Sequence, residues 1–233
     1  MARRILRLPM CARYTMTRVS AEELSEEFGL VAVQEERLAP RYNIAPTEDA
    51  PIVVESKEGE RRLRLARFGL VPHWAKGAKI GTRFLNARVE TVAETPAFRD
   101  AFARHRCLVV ADGFYEWHTE GKVKIPHWFH LPDRRLFAFA GLWAVWRDPE
   151  GKWVTSFAIL TRPAEGPALA VHDRMPVVLA PEVYGAWLAR DTKDARELMD
   201  VLAYHRAGEL EEYVVSRAVN KAGQEDPSFI EPA

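Results

Sequence analysis

Apolar positions along this chain follow two periods. A spacing of three or four residues marks helices. Ser20-Ala-Glu-Glu23 is a capping box, Leu24 and Phe28 share one face, and Gly29 is a stop signal. Thr95-Pro96 opens a second helix with Phe98 and Phe102 four apart, and Pro181 opens a third carrying Val183, Trp187 and Leu188. A fourth is expected from about Asp194 to Gly208, with Leu198, Val201 and Leu202 inward. Between them lie short runs of strand character: 51–56, 61–65, 107–110, 135–141, 153–161 and 212–216. Many short strands with helices at irregular intervals predict an α+β protein rather than a regular βαβ winding.

Length and composition narrow this picture. At 233 residues, 48% hydrophobic and 28% charged, the chain fits one folded domain with a sizeable core. Lysine plus arginine and aspartate plus glutamate both total 33, so nothing pulls the whole molecule towards nucleic acid; a site for it must be a local basic face. Two cysteines, Cys11 and Cys107, are too few for a disulfide scaffold or a four-cysteine zinc site. No apolar run reaches the ~18 residues of a membrane span, and MARRILRLP is too short in its apolar part for a signal peptide. No GxGxxG or Walker loop is present, so no nucleotide cofactor is expected. These features predict a soluble protein of a reducing compartment, the cytoplasm, with no membrane partner.

Four stretches carry candidate chemistry. RYNIAP at 41–46 ends in a proline-fixed turn, where Asn43 suits the satisfaction of backbone groups. FLNARVET at 84–91 puts Asn86, Arg88 and Glu90 on one side if it is extended. ADGFYEWH at 111–118 is an Asp-Gly turn followed by alternation: Glu116 shares a face with Phe114, and Tyr115 and Trp117 take the other. A carboxylate in that aromatic setting is expected to be partly desolvated, which suits acid–base work; an ion-paired structural role fits equally well. AVHDRMPVVL at 170–179 sets His172 and Arg174 before an apolar strand, where a hydrogen-bonded structural His is the plainer reading. Cys107 reads as a buried small hydrophobe. Arg41, Arg61, Arg62, Arg64, Arg67, Arg83 and Arg88 crowd one third of the chain, with His73 and Trp74 among them. Arginine with exposed aromatics suits single-strand binding; the alternative is a solvated strand face balanced by acids elsewhere.

Taken together, MCARY (10–14), PRYNIAP (40–46), FGLVPHWAK (68–76), NARVET (86–91), FRDAF (98–102), RCLVVADGFYEW (106–117), GLWAVW (141–146) and VHDRMPVVL (171–179) resemble the SRAP family, the SOS response-associated peptidases. The similarity runs from Met10 to about Val219. The resemblance implies one domain over 11–233, an α+β fold of curved, mostly antiparallel sheets forming a barrel-like core with peripheral helices. Residues 1–10 are then an extension absent from the mature protein. It implies a monomer, needing neither metal nor cofactor, that shields abasic sites in single-stranded DNA by crosslinking through an N-terminal cysteine. Here that cysteine is Cys11. Asn86, Glu116 and His172 would complete the site, and Arg13, Trp74, Arg88, Trp117 and Arg174 would meet DNA. Weak abasic-site lyase action is implied too, as is a peptidase action confined to exposing Cys11. A general cysteine peptidase using Cys11 and His172, and a non-catalytic single-strand binder, stand as alternatives. Ala12, where glycine is usual, and Phe68, for a common tryptophan, depart from the family pattern.

Overall fold

The structure is a computed structural model that describes residues 12–34 and 38–233. In chain order come β1 (Tyr14–Met16), α1 (Ala21–Phe28), β2 (Arg41–Ile44), β3 (Asp49–Glu55), β4 (Arg61–Phe68), β5 (Asn86–Arg88), α2 (Arg99–Arg104) and β6 (Arg106–Ala111). Then follow β7 (Gly113–Glu120), β8 (Val123–His130), β9 (Phe137–Arg147), β10 (Trp153–Pro163), β11 (Arg174–Pro176), β12 (Val178–Leu179), α3 (Tyr184–Leu188), α4 (Ala195–Leu202) and β13 (Glu211–Val214).

Five strands close on themselves in the order β10-β4-β3-β6-β9, with β9 returning to β10. Closure removes the sheet edges. Only the contacts of β10 with β4 and with β5 are parallel among the described strand pairs, so the expected α+β, mostly antiparallel barrel is what the chain forms. The runs that build it are rich in β-branched and aromatic residues, and β6 is buried along its whole length. Inside, Phe68 stacks on Phe157 with centroids 5.1 Å apart, and Tyr14 meets Phe68 and Phe139 edge-on at 5.8 Å. Each such ring contributes about 1.5–3 kcal/mol by leaving water. The phenylalanine at 68 is therefore a core packing residue. Cys107 is fully buried on β6, which pushes its thiol up, and it behaves as the small hydrophobe expected.

A second sheet, ordered β13-β8-β7-β1-β2, leans on the barrel. Strand alternation sorts its faces: Phe114 and Phe129 join the main core, while Tyr115 and Trp128 join Val215, Val219, Phe229 and Ile230 in a smaller one. Gly113 starts β7 because nothing larger fits. A Cβ there would collide with the Trp128 indole, whose Cζ2 would lie 2.6 Å away. Gly113→Ala is expected to destabilise the protein by about 2–3 kcal/mol, read as a lower urea midpoint with an unchanged m-value.

The helices match expectation in part. Ser20 caps α1 by accepting the Glu23 N–H, and Gly29 ends it in the left-handed region. The second helix starts at Arg99 rather than at Pro96, because the Phe98 N–H bonds the Thr95 carbonyl three residues back and makes a tighter first turn. The fourth ends at Leu202, well short of Gly208. There the chain turns to join the sheet: His205 pairs with Leu179 and the Arg206 N–H bonds the Val178 carbonyl. Val201 is only partly buried as a result. Among the described residues, no helix is long and apolar enough to cross a membrane.

Candidate active site

Glu116 sits in the middle of β7, on the face that points with Phe114 towards the main core, and only 3% of it is exposed. His127 of β8 stands directly opposite it. Trp117, on the other face and partly exposed, donates from Nε1 to Asn220 Oδ1 at 2.6 Å. The strand β1 lies against β7 in the register Tyr14↔Phe114, and the Tyr115 N–H bonds the Arg13 carbonyl at 3.0 Å. What fixes β1 is Asp112. Its buried carboxylate accepts from Thr15 Oγ1 (2.6 Å), the Thr17 N–H (2.5 Å), Thr17 Oγ1 (2.6 Å) and the Arg18 N–H (3.2 Å). Ala12 packs against the core at the start of the described chain. Cys11 and the 1–10 extension lie outside the described residues.

A second group forms at the far end of β10. β5 pairs with it in parallel, Ile159↔Asn86 and Thr161↔Arg88, and β11 antiparallel, Pro163↔Arg174. The extended reading of FLNARVET holds only to Arg88: the Thr91 N–H bonds the Arg88 carbonyl and turns the chain, so Glu90 stands in a turn rather than on a strand face. Both polar atoms of the Asn86 amide are buried without a hydrogen-bond partner among the described residues. Native structures leave few such groups, so this amide is available to a ligand. Arg88 is exposed. Trp74 is 47% exposed and props its ring edge-on against Phe84, two residues before Asn86, with centroids 6.5 Å apart.

His172 is held from one side. Its Nδ1 accepts the Arg174 N–H at 3.1 Å and also lies 2.9 Å from Asp173 Oδ1. One nitrogen cannot serve both at once. With the proton on Nε2, Nδ1 accepts the backbone N–H and Nε2 is a donor; with the proton on Nδ1, the bond goes to the carboxylate and Nε2 of the neutral ring is an acceptor.

Two expected DNA contacts have other employment here. The Arg174 guanidinium is buried, chelates Glu90 with both terminal nitrogens, and donates to the Thr161 carbonyl at 2.7 Å. That hydrogen-bonded pairing pulls the Glu90 carboxyl below its usual range. Arg13 donates to Asn43 Oδ1 at 2.7 Å and to the Val219 carbonyl at 3.1 Å, and burial lowers its pKa. The arginine-rich third of the sequence is not one basic face either. Arg61 caps α1 at the Phe28 carbonyl, Arg41 pairs with Glu48 and Glu225, and Arg62 pairs with Glu60. A cleft of about 660 Å3 is lined by Arg62 and Arg64 with Leu63 and Leu65, but by none of the residues that the resemblance assigns to the site. Asp112, Asn220 and the clamping role of Glu90 escaped sequence reasoning, because each acts on a partner at least 84 residues away. Asn43 does satisfy backbone groups, donating to the carbonyls of Val219, Lys221 and Gln224. Among the described residues no cluster of His, Cys, Asp and Glu is placed to hold a metal ion.

Comparison with known proteins gives this arrangement its context. Residues 10–222 match the family described as SOS response associated peptidase (SRAP). The chain is 37% identical over 224 residues to the abasic site processing protein YoqW of Bacillus subtilis, covering 95% of this chain and 99% of that one. It is 28% identical to the abasic site processing protein YedK of Escherichia coli, covering 96% and 100%. A crystal structure of a protein from Bacteroides thetaiotaomicron superposes with a TM-score of 0.84 at 25% identity, over 96% of this chain and 100% of that one. Ordered motifs, barrel and family match agree: this chain belongs to the SRAP family.

Proposed function

We propose that this protein processes abasic sites in single-stranded DNA by forming a covalent link to them through Cys11, once residues 1–10 are absent and Cys11 carries a free α-amine. The observation that carries this reading is the register of β1 on β7. It sets Arg13 against Tyr115, the residue directly before Glu116 on β7. The names of the relatives, abasic site processing proteins, support it.

The chemistry follows from the residue types. A ring-opened abasic deoxyribose presents an aldehyde. An α-amine with a pKa near ~7.7–8.0 is partly neutral at pH 7 and attacks it. Glu116 donates a proton to the carbinolamine hydroxyl, which leaves as water and gives the iminium. The Cys11 thiol then gives its proton to Glu116 while sulfur bonds the iminium carbon, closing a five-membered thiazolidine. The sum is aldehyde plus cysteine to thiazolidine plus water. Only an N-terminal cysteine offers amine and thiol on neighbouring carbons.

His172, in the form that carries its proton on Nε2 and accepts the Arg174 N–H at Nδ1, assists opening of the sugar ring or meets the 3′ phosphate. The Asn86 amide holds the new ring. Arg88 meets backbone phosphate and Trp74 stacks on a base. Arg174 serves as a wall of the site, tied to Glu90, rather than as a free phosphate fork. Slow β-elimination from the same imine gives weak lyase action.

Purified protein mixed with single-stranded DNA bearing one abasic site is expected to form a heat-stable adduct, with intact mass showing a chain that starts at Cys11. Cys11→Ala is expected to form none. Equal crosslinking by Cys11→Ala, or crosslinking by a chain that retains residues 1–10, would sink this reading. Turnover of unrelated peptides abolished by Cys11→Ser would favour a peptidase instead.

A further inference from the structure

We infer that Asn220 is a positioning residue for DNA binding: it fixes the Trp117 indole, on the face of β7 opposite Glu116, as a preset stacking surface, and the segment 216–225 holds it there as a clasp. The inference rests on the DNA-binding reading above. It starts from the bond between Trp117 Nε1 and Asn220 Oδ1 at 2.6 Å. The indole N–H only donates, so the amide oxygen must face it. The amide's other end donates to the Lys124 carbonyl at 3.4 Å, which removes the freedom to flip.

The clasp is anchored along its length. Ser216 caps the 3-10 turn Arg217–Asn220. Arg13 reaches the Val219 carbonyl at 3.1 Å and the Asn220 carbonyl at 3.5 Å. Asn43 gathers the carbonyls of Val219, Lys221 and Gln224. At the far end Glu225 accepts from Arg41 Nε at 2.6 Å and from the Tyr42 N–H at 2.5 Å. One segment thus holds both Arg13, just before β1, and Trp117 on β7. Asn220 itself is exposed, while the Trp117 ring it holds packs in part against the smaller core. A polar contact this short between an exposed amide and a partly exposed indole makes sense as preorganisation: a ring already oriented loses less freedom when a base stacks on it.

A double-mutant cycle tests this on the full chain, using single-stranded DNA with a tetrahydrofuran abasic analogue that has no aldehyde. Trp117→Ala is expected to raise Kd about tenfold. Asn220→Ala is expected to raise it about fivefold. The double variant is expected to be no weaker than Trp117→Ala alone, because Asn220 acts through the indole. Asn220→Asp keeps the acceptor and is expected within about twofold of the parent. Multiplying effects in the double variant, wild-type binding by Asn220→Ala, or an Asn220→Asp as weak as Asn220→Ala would each overturn the inference. Asn220→Ala is expected to keep the parent's melting temperature, as exposed substitutions do; a large fall would make the residue structural and overturn it too. If the parent binds the analogue yet never links to aldehyde DNA, the crosslinking reading fails while the Asn220 result still stands.

Discussion

Glu116→Gln is expected to slow adduct formation at least about 100-fold while leaving the fold intact. Acid–base catalysis by a positioned group contributes ~10²–10⁴-fold. Glutamine keeps the shape of the side chain and its hydrogen-bonding reach but cannot donate and then retake a proton. The position makes the loss hard to replace: Glu116 is buried in mid-strand, so bulk water is a poor substitute. Two steps of the proposed path need it, dehydration of the carbinolamine and deprotonation of the thiol. The imine should therefore form slowly and close slowly. Single-turnover rate constants on abasic single-stranded DNA check the first claim, and borohydride trapping separates imine from closed ring. Binding of the tetrahydrofuran analogue is expected to change less than about twofold, since no charge on Glu116 is asked to meet phosphate. A rate loss under about threefold would remove Glu116 from the chemistry. A matching fall in melting temperature would make it the ion-paired structural residue that its sequence setting also allowed.

That ambiguity marks how far the sequence could be read. Several barrel strands were legible as runs of strand character, 107–110 wholly inside the buried β6 and 153–161 within β10, while their closure into a barrel came from the resemblance. The capping box and Gly29 were legible because both signals are local. Failures came where distant chain decides the local state. β1 has three residues and β2 four, too short for a period to show; β1 exists because β7 supplies a partner about 100 residues away, and β2 because it pairs with β1. The fourth helix stops early because residues 204–206 find a better partner in β12 than in their own helix. The site was harder still. An Asn before an Ala and an Arg looks like any polar residue; what distinguishes Asn86 is that its amide is buried and unpartnered, which no spacing reveals. The arginines were ambiguous in the sequence, and the fold resolves the role of three of them. Seven of them crowd one third of the sequence. In the fold Arg41, Arg61 and Arg62 serve local ion pairs and a helix cap. Resemblance to a family, rather than periodicity, put Asn86, Glu116 and His172 together.

Asp112 joins fold to chemistry, and its removal is expected to be felt in both. Its carboxylate takes four hydrogen bonds, from two hydroxyls and two backbone N–H groups, all on residues 15–18. In Asp112→Ala those donors lose their acceptor in a buried setting, a loss of about 3 kcal/mol. For a chain of this size that lowers Tm by roughly 6–12 °C. Asp112→Asn should be milder, about 1 kcal/mol. Its oxygen can keep the Thr17 and Arg18 donors, while its NH₂ turns to Thr15 Oγ1, which already accepts from Trp128 Nε1 at 3.2 Å and can rotate its own proton away. The functional effect has a separate cause. The contacts of Asp112 fix the register of β1 on β7, and that register sets Arg13 against Tyr115, next to Glu116, on which the proposed chemistry depends. With the clamp gone, β1 keeps only two paired positions on each side, Tyr14 and Met16 with β2 and Tyr14 and Thr15 with β7. The reactive end then samples many positions, and proximity is lost before the fold is. Adduct formation by Asp112→Ala, measured 15–20 °C below its own midpoint, is expected to fall about tenfold. Asp112→Asn is expected to crosslink at close to the parent rate. If Asp112→Ala melts low yet crosslinks normally when folded, Asp112 is a stability residue only, and the register of β1 is held by something else.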